Sequence, residues 1–421
     1  MKLPFSRSTN PPGTTRLRGE EHQPDVAILL AVVALAAIGI LMVYSSSALQ
    51  AYVQYDGDTF KTVGPQLVWG LLGLVAMVVM MRVNYRWLRI VSVPMYIVAL
   101  GLLVIVLVPG FGISVGGSAR WLQIGPLPAV HPAEFAKLAM IIYLAHWFAK
   151  RGERVREFWA GTVTFIVIFA PVLILVLREP DLGTSAVIGL TAAIMFFVAG
   201  ANLGHLFAMA GAGVGIVAFI ISRTPYQLDR VRALLDPWAD PQGIGFHTIQ
   251  GLLALGLGGV LGAGLGESKL AGALFLPNAS NDFIFAIIGE EFGLVGATAV
   301  VLLFLTIGYR GFRIALSAPD TFGALLAAGI TTWLCVQAFI NIGVVVALLP
   351  ITGITLPFVS AGGSSLTISF AAVGILLSIS RETVERGTWN DAVDDRGGRN
   401  GRTHLPGTRR RSIAPGAAGR A

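Results

Sequence analysis

The chain has 421 residues, 55% of them apolar and 13% charged, with a mean hydropathy of +0.74; an ordinary soluble domain carries roughly 25% charged residues. Apolar blocks of bilayer-spanning length, roughly 20 residues, recur along almost the whole chain, which excludes a soluble domain on a single anchor. The net charge of +7 does not point to nucleic acid, because nine arginines lie from Arg381 onward with no aromatic or RNA-binding motif, and a basic tail against anionic lipid is the plainer reading.

The first apolar block, Asp25 to Ser47, is longer than the roughly 7 to 15 residues of a signal-peptide core and reads as a retained helix. Further helices are predicted at about Pro65–Val83, Ile90–Val108, Ala133–Phe148, Phe158–Leu177, Ser185–Ala201 and Gly204–Ser222. The last three are predicted at about Phe283–Tyr309, Phe322–Leu349 and Leu366–Ser380. The predicted fold is all-α, a polytopic membrane protein with ten transmembrane helices. Residues 1–24 form an N-terminal tail, 25–381 the membrane domain, and 382–421 a basic tail without hydrophobic periodicity, which reads as disordered.

Orientation follows from arginine and lysine in short loops. Alternate loops carry Arg82, Arg86 and Arg89, then Lys150, Arg151, Arg154 and Arg156, then Arg310 and Arg313; the intervening ones hold Lys61, Arg120 and Arg178. Both termini are therefore expected in the cytoplasm, with a long extracytoplasmic loop between helices seven and eight, Arg223 to Asn281. "LLDPWADPQGIGF" within that loop is turn chemistry. "IQGLLALGLGGVLGAGLG", Ile249 to Gly266, is nearly long enough to span, but its crossing would invert every later loop. Its glycines, each costing about 1 kcal/mol in a helix relative to alanine, favour a re-entrant or surface-lying element. It is no phosphate loop either, since no strand precedes it and no lysine-serine or lysine-threonine pair follows.

Ionised groups deep in a bilayer are costly and normally face a protein interior or a wet cavity. Helix eight carries Asp282 at its rim, with Glu290 and Glu291 about 10 to 13 Å further in. Helix four carries Glu134 and Lys137 on one face at spacing i,i+3. Arg120 and Trp121 precede it, and "REPDLGTS" brings Arg178, Glu179 and Asp181 to the same outer side. These charges are expected to line an outward-facing polar cavity. The alternatives are a structural Glu134–Lys137 ion pair, glutamates that hydrogen-bond neighbouring helices, and an Asp282 that merely caps its helix. The single cysteine, Cys335, excludes an internal disulfide and a thiolate metal cluster.

"SARWLQIGPLPAVHPAEFAKL", "EPDLGTS", "LLDPWADPQGIGF", "LPNASNDFIFAIIGEEFG" and "QAFINIGVVVALLPITGITLPFVSAGGSS" occur in this order. Together they resemble the SEDS family of shape, elongation, division and sporulation proteins, over about Asp25 to Arg381. The resemblance implies a ten-helix membrane enzyme that polymerises lipid II, the undecaprenyl-pyrophosphate-linked disaccharide pentapeptide, into glycan strands outside the cytoplasmic membrane. It looks more like the division branch at the septum than the elongation branch. The family's essential aspartate falls on Asp282, the arginine of its "RW" motif on Arg120, and the glutamate and lysine of its "PSE...K" motif on Glu134 and Lys137. The chain departs from the pattern in "PAE" for "PSE", in His131 for glutamine, in "PNASND" for "PEAHTD", and in Ala361 for tyrosine. The implied partners are a class B penicillin-binding protein transpeptidase and other division proteins.

Glycan growth needs a base for the attacking hydroxyl and positive charge against the departing pyrophosphate. Asp282 is the candidate catalytic base, or holds the acceptor through a divalent cation; oxygen ligands without a cysteine cluster favour magnesium or manganese. Arg120, Trp121, Glu134, Lys137, Arg230 and Arg232 are the candidate substrate-binding residues, with Glu290, Glu291 and Asp181 in support. A transporter flipping the same lipid headgroup, an elongation-type polymerase and a passive division scaffold are the competing readings. The transporter is disfavoured because the inner halves of the helices carry few ionisable residues.

Overall fold

Among the described residues, apolar periodicity resolves into thirteen α-helices and one two-stranded hairpin. The structure, a computed structural model, describes residues 23–54, 60–115, 118–123, 129–272 and 279–383. The expectations for 1–22 and 384–421 lie outside the described residues. In chain order the elements are α1 Val26–Gln54, α2 Phe60–Arg82, α3 Trp87–Leu107, β1 Gly112–Val115, β2 Ser118–Leu122, α4 Pro132–Arg151, α5 Thr164–Arg178, α6 Leu182–Val198 and α7 Leu203–Arg223. There follow α8 Pro225–Leu235, α9 Phe246–Gly258, α10 Lys269–Gly272, α11 Ile284–Ser317, α12 Thr321–Val345 and α13 Ser364–Ser380.

Seven helices among the described residues are long and apolar enough to cross a membrane, and the chain is an all-α polytopic membrane protein. The hairpin of β1 and β2, paired antiparallel with an irregularity after Ile113, is the addition that the helical reading of the sequence does not contain. Large apolar side chains such as Leu71, Ile90 and Phe207 point outward. In water such a surface would aggregate; in hydrocarbon it is the solvated face.

α12 is the central helix: 83% of its most apolar window is buried within the protein, whereas α7 buries none of its own. α12 packs on α11, α6 and α4, α2 lies along α13, and α1 lies along α11. Arg310 of α11 pairs with Asp25 at 2.7 Å, while Ser45, toward the other end of α1, donates to Glu291 near the start of α11, so the two helices run antiparallel. The Asp25 amide donates to Ser380 Oγ, which puts the beginning of α1 and the end of α13 at the same end of the bundle.

The glycine-rich segment breaks into α9, 13 residues or about 20 Å long, and a turn; this is short of the ~30 Å hydrocarbon core. The turn lies backbone against backbone on α11, which breaks its helical geometry at Gly293 (φ 65°, ψ −162°). The Leu294 amide donates to Gly259, and the amides of Ala263 and Gly264 donate to the carbonyls of Glu290 and Glu291, at 2.9 to 3.0 Å. A Cβ at Gly258 would stand 1.8 Å from the Gly289 carbonyl, and one at Gly262 would stand 2.1 Å from that of Glu291. Close approach, rather than flexibility, is what these glycines supply.

The predicted end of helix nine at Leu349 falls short by one turn. α12 stops at Val345 because Ala347 enters the left-handed region and the amides of Leu348 and Leu349 both turn back to the Gly343 carbonyl.

Candidate active site

Asp282 lies just ahead of α11, partly buried, in a segment held by its main chain. Asn341 of α12 donates its side-chain amide to the Asp282 carbonyl at 2.9 Å and to the Ile354 carbonyl at 2.7 Å. Ser360 Oγ donates to the Asn281 carbonyl, and the Ala361 amide to that of Ser280. The loop between α12 and α13 is thereby sewn to the aspartate's own segment, with a Cβ at Gly353 reaching within 3.5 Å of Asp282 Oδ2. The start of α11 has no side-chain cap, so Asp282 does not serve as one. Among the described residues none donates a hydrogen bond to its carboxylate.

Three charged side chains of the predicted set act on that carboxylate. Burial pushes the Asp282 carboxyl up to about 6; Arg230 of α8 opposes the rise, Asp181 adds to it, and Arg120 of β2 again opposes it. Asp181 caps α6, accepting from the Thr184 amide at 2.9 Å and from its hydroxyl at 2.8 Å. Arg120 donates from Nε to the Glu179 carbonyl at 3.0 Å and from Nη2 to the Pro180 carbonyl at 2.6 Å. Arg230 stacks over Tyr226, its guanidinium carbon 4.4 Å from the ring centroid. Arg232 is not brought to this group: it is exposed and paired with Asp229 at 3.3 Å.

His131, named above as a departure from the family pattern and not as a candidate, links the pieces. Its Nε2 lies 3.8 Å from Asp181 Oδ2, its ring meets that of Trp121 edge-on at 5.2 Å, and its amide donates to Ser364 Oγ at 3.0 Å. Burial holds its imidazole below the ordinary range, against the pull of Asp181 and Glu134.

Glu134 and Lys137 form the next layer inward. Lys137 Nζ donates to Glu134 Oε1 at 2.8 Å and to Gln337 Oε1 at 2.7 Å, Ser365 donates to Glu134 Oε2 at 3.0 Å, and Gln337 in turn donates to the Thr355 carbonyl. The pair is buried and knits α4, α12, α13 and the loop before α13 beneath the aspartate. Glu290 and Glu291 are engaged elsewhere: Glu290 accepts from Ser268 Oγ and from the amides of Lys269 and Leu270, and Glu291 accepts from Ser45. Glu290 anchors the start of α10, and Glu291 anchors α1.

Glu179, Gln337 and Asn341 also shape the site and were not among the candidates. A sequence signal existed for the last two, since polar residues at i and i+4 in the apolar run of α12 mark an inward face. No group of three or more metal-ligating side chains converges among the described residues. The donor chemistry that does fit a hard divalent cation is the unpartnered carboxylate of Asp282, since such ions are commonly held by one or two carboxylates plus substrate oxygens.

Fold and site together define a polytopic membrane protein in which a cluster of ionisable side chains surrounds an aspartate whose carboxylate accepts no hydrogen bond among the described residues. The family described as cell cycle protein, which takes in FtsW, RodA and SpoVE, matches residues 26–385, and the chain belongs to that family, the SEDS proteins. Stage V sporulation protein E of Bacillus subtilis is 42% identical over 363 residues, 86% of this chain and 98% of that one. The probable peptidoglycan glycosyltransferase FtsW of Geobacter sulfurreducens is 42% identical over 361 residues, 86% of this chain and 96% of that one. A solved chain described under the structural coordination of polymerization and crosslinking by a peptidoglycan synthase complex superposes with a TM-score of 0.69 at 30% identity, covering 85% of this chain and 98% of its own. Thermus thermophilus rod shape determining protein RodA superposes with a TM-score of 0.63 at 27% identity, covering 86% and 98%.

Proposed function

We propose that this protein is a peptidoglycan glycosyltransferase that polymerises lipid II into glycan strands during cell division. The observation that carries the reading is the Asp282 carboxylate, unpartnered among the described residues and with Arg230 and Arg120 close enough to act on it. Its full-length relatives support it, among them a probable peptidoglycan glycosyltransferase.

The reaction forms a bond between an acceptor sugar hydroxyl and the anomeric carbon of a lipid-linked sugar, while the bond from that carbon to the pyrophosphate oxygen breaks and its electron pair leaves with the phosphate. Asp282 takes the hydroxyl proton. A base near 6 is ionised at neutral pH yet more basic than an exposed aspartate, which is the compromise that general-base catalysis favours. Arg120 and Arg230 offer planar donors to the pyrophosphate oxygens. Lys137 and Glu134 hold the floor, Thr184 holds Asp181 in place, and His131, packed against Trp121, stands beside it. Magnesium or manganese, bound by the Asp282 carboxylate together with substrate oxygens, would add positive charge against the phosphates.

The topology that serves this chemistry has ten spans, both termini in the cytoplasm and Asp282 outside. α4, α6 and α13 join the seven long apolar helices: α4 falls outside that set by its lower hydropathy, and α6 and α13 by a length of 17 residues each. The contact of Asp25 with Ser380 supports an even number of crossings, and Arg86 and Arg310 lie at that same end, as positive residues inside require. The protein would sit in the cytoplasmic membrane at the septum, paired with a class B penicillin-binding protein that cross-links the strands.

Purified lipid II and reconstituted protein test the activity, wild type against Asp282→Asn. Polymer from wild type and none from a correctly folded variant is the expected result. Full polymerisation by the variant would remove Asp282 from the chemistry, and translocation of lipid II without polymer would make the protein a transporter.

A further inference from the structure

Glu179 closes the turn between α5 and α6, and no step of the proposed reaction uses it. It is 1% exposed, and among the described residues neither of its carboxyl oxygens has a hydrogen-bond partner. Ionised, it would be a buried charge without a donor, which is strongly disfavoured. The arginine beside it does not pair with that carboxyl. Arg120 instead donates to the main-chain carbonyls of Glu179 and Pro180, so dipoles hold the guanidinium and, among the described residues, no carboxylate pairs with it. Among the described residues the charged groups that act on Glu179 are Arg120 from β2 and Asp181 from the start of α6; the neighbouring Arg178 at the end of α5 is exposed, and His131 and Asp282 lie one step further out, each toward Asp181. Burial pushes the Glu179 carboxyl up to about 8, Asp181 adds to the rise, and Arg120 opposes it.

We propose that Glu179 is a positioning residue acting through Arg120: with its proton on, it leaves the guanidinium charge uncompensated for a lipid-linked pyrophosphate, and once ionised it draws that charge onto itself. This rests on the reading of Arg120 as a pyrophosphate ligand. The sign follows from the acid's raised range, since the neutral form dominates below about 8 and is lost above it, so the effect is an alkaline loss of affinity.

The test is binding of undecaprenyl pyrophosphate, which carries the phosphates and no sugar, by the full chain in nanodiscs across the pH range. Wild-type affinity is expected to fall about tenfold between pH of roughly 7 and 9, following the neutral fraction of the acid. Glu179→Gln, always uncharged, should change by less than about twofold over that span. Asp181→Asn, which keeps a helix-capping side chain but removes the like charge, should move the wild-type fall to lower pH, and it reads the same group should Glu179→Gln fail to fold. An unchanged alkaline fall in Glu179→Gln, or an unmoved midpoint in Asp181→Asn, overturns the proposal. Arg120→Gln separates the two levels: if it binds as wild type at neutral pH, the role of Arg120 itself fails, whereas weak binding there with a wild-type pH profile in Glu179→Gln rejects this inference alone.

Discussion

The side-chain amide of Asn341 holds the main-chain carbonyl of Asp282 at 2.9 Å and leaves that residue's carboxylate untouched. The aspartate is thus fixed in place by its backbone and kept open by its side chain. Asn341→Ala leaves two carbonyls, those of Asp282 and Ile354, without the side-chain amide that they accept from. Each unmade buried hydrogen bond costs about 1 to 3 kcal/mol. We expect a lower melting temperature together with a kcat reduced about tenfold or more, since misplacing a reacting group by ~1 Å is enough for such losses. A variant that melts early but retains full kcat would show that Asn341 supports the fold without aiming Asp282.

The polymerisation rate should depend on the charge of Asp282 with a definite sign. The raised carboxyl must be ionised to act as base, so kcat/KM should climb as pH rises through about 6. Arg230 holds that value down, so Arg230→Gln should move the acid limb to higher pH as well as weaken substrate binding. Removing the like charge in Asp181→Asn should move it to lower pH. Initial rates of lipid II polymerisation across the acid range check both shifts, and displacement in the reverse directions would contradict the arrangement of charges around Asp282.

Lys137→Met strands the Glu134 carboxylate, which is 7% exposed, without its cation. Breaking a buried pair from one side costs about 3 to 5 kcal/mol, while replacing both partners is far milder. The double variant Glu134→Gln with Lys137→Met should therefore unfold at a higher temperature than Lys137→Met alone. Thermal unfolding in detergent measures this, and equal losses in the single and double variants would mean that the pair is not coupled.

Gly258→Ala and Gly262→Ala drive a methyl group into the backbone of α11, at 1.8 and 2.1 Å from its carbonyl oxygens. Folded yield should collapse in both. Gly256→Ala, two positions before Gly258 in α9 with nothing within 4 Å of the added carbon, should be tolerated or gain about 1 kcal/mol from helix propensity. Size-exclusion profiles of the three variants distinguish close packing from a general intolerance of the segment.

Much of the site could be read along the chain. Asp282 and Arg120 stood out because a charged residue in an oily sequence is conspicuous wherever it falls, and the short helix inside the glycine-rich segment agrees with its reading as an element that does not cross. Which of Arg230 and Arg232 turns toward Asp282 could not be read that way. Residues two apart on a helix point roughly 200° from each other, so α8 could present one of them and not both, and its packing selects Arg230. The helix itself was hidden, because eleven residues with three charges inside a long connection look like a loop.

The sequence by itself determined the class of protein, an all-α polytopic membrane protein, because hydrocarbon imposes a local rule: each stretch must satisfy its own backbone and offer apolar side chains to lipid. Only the tertiary structure decided which ionisable groups meet. It gave Glu290 to the start of α10 and Glu291 to α1, locked Lys137 between Glu134 and Gln337, and placed His131 beside Asp181. Those partners lie far apart along the chain, and the packing of α4, α6, α11, α12 and α13 around one another, which no local pattern encodes, brings them within reach.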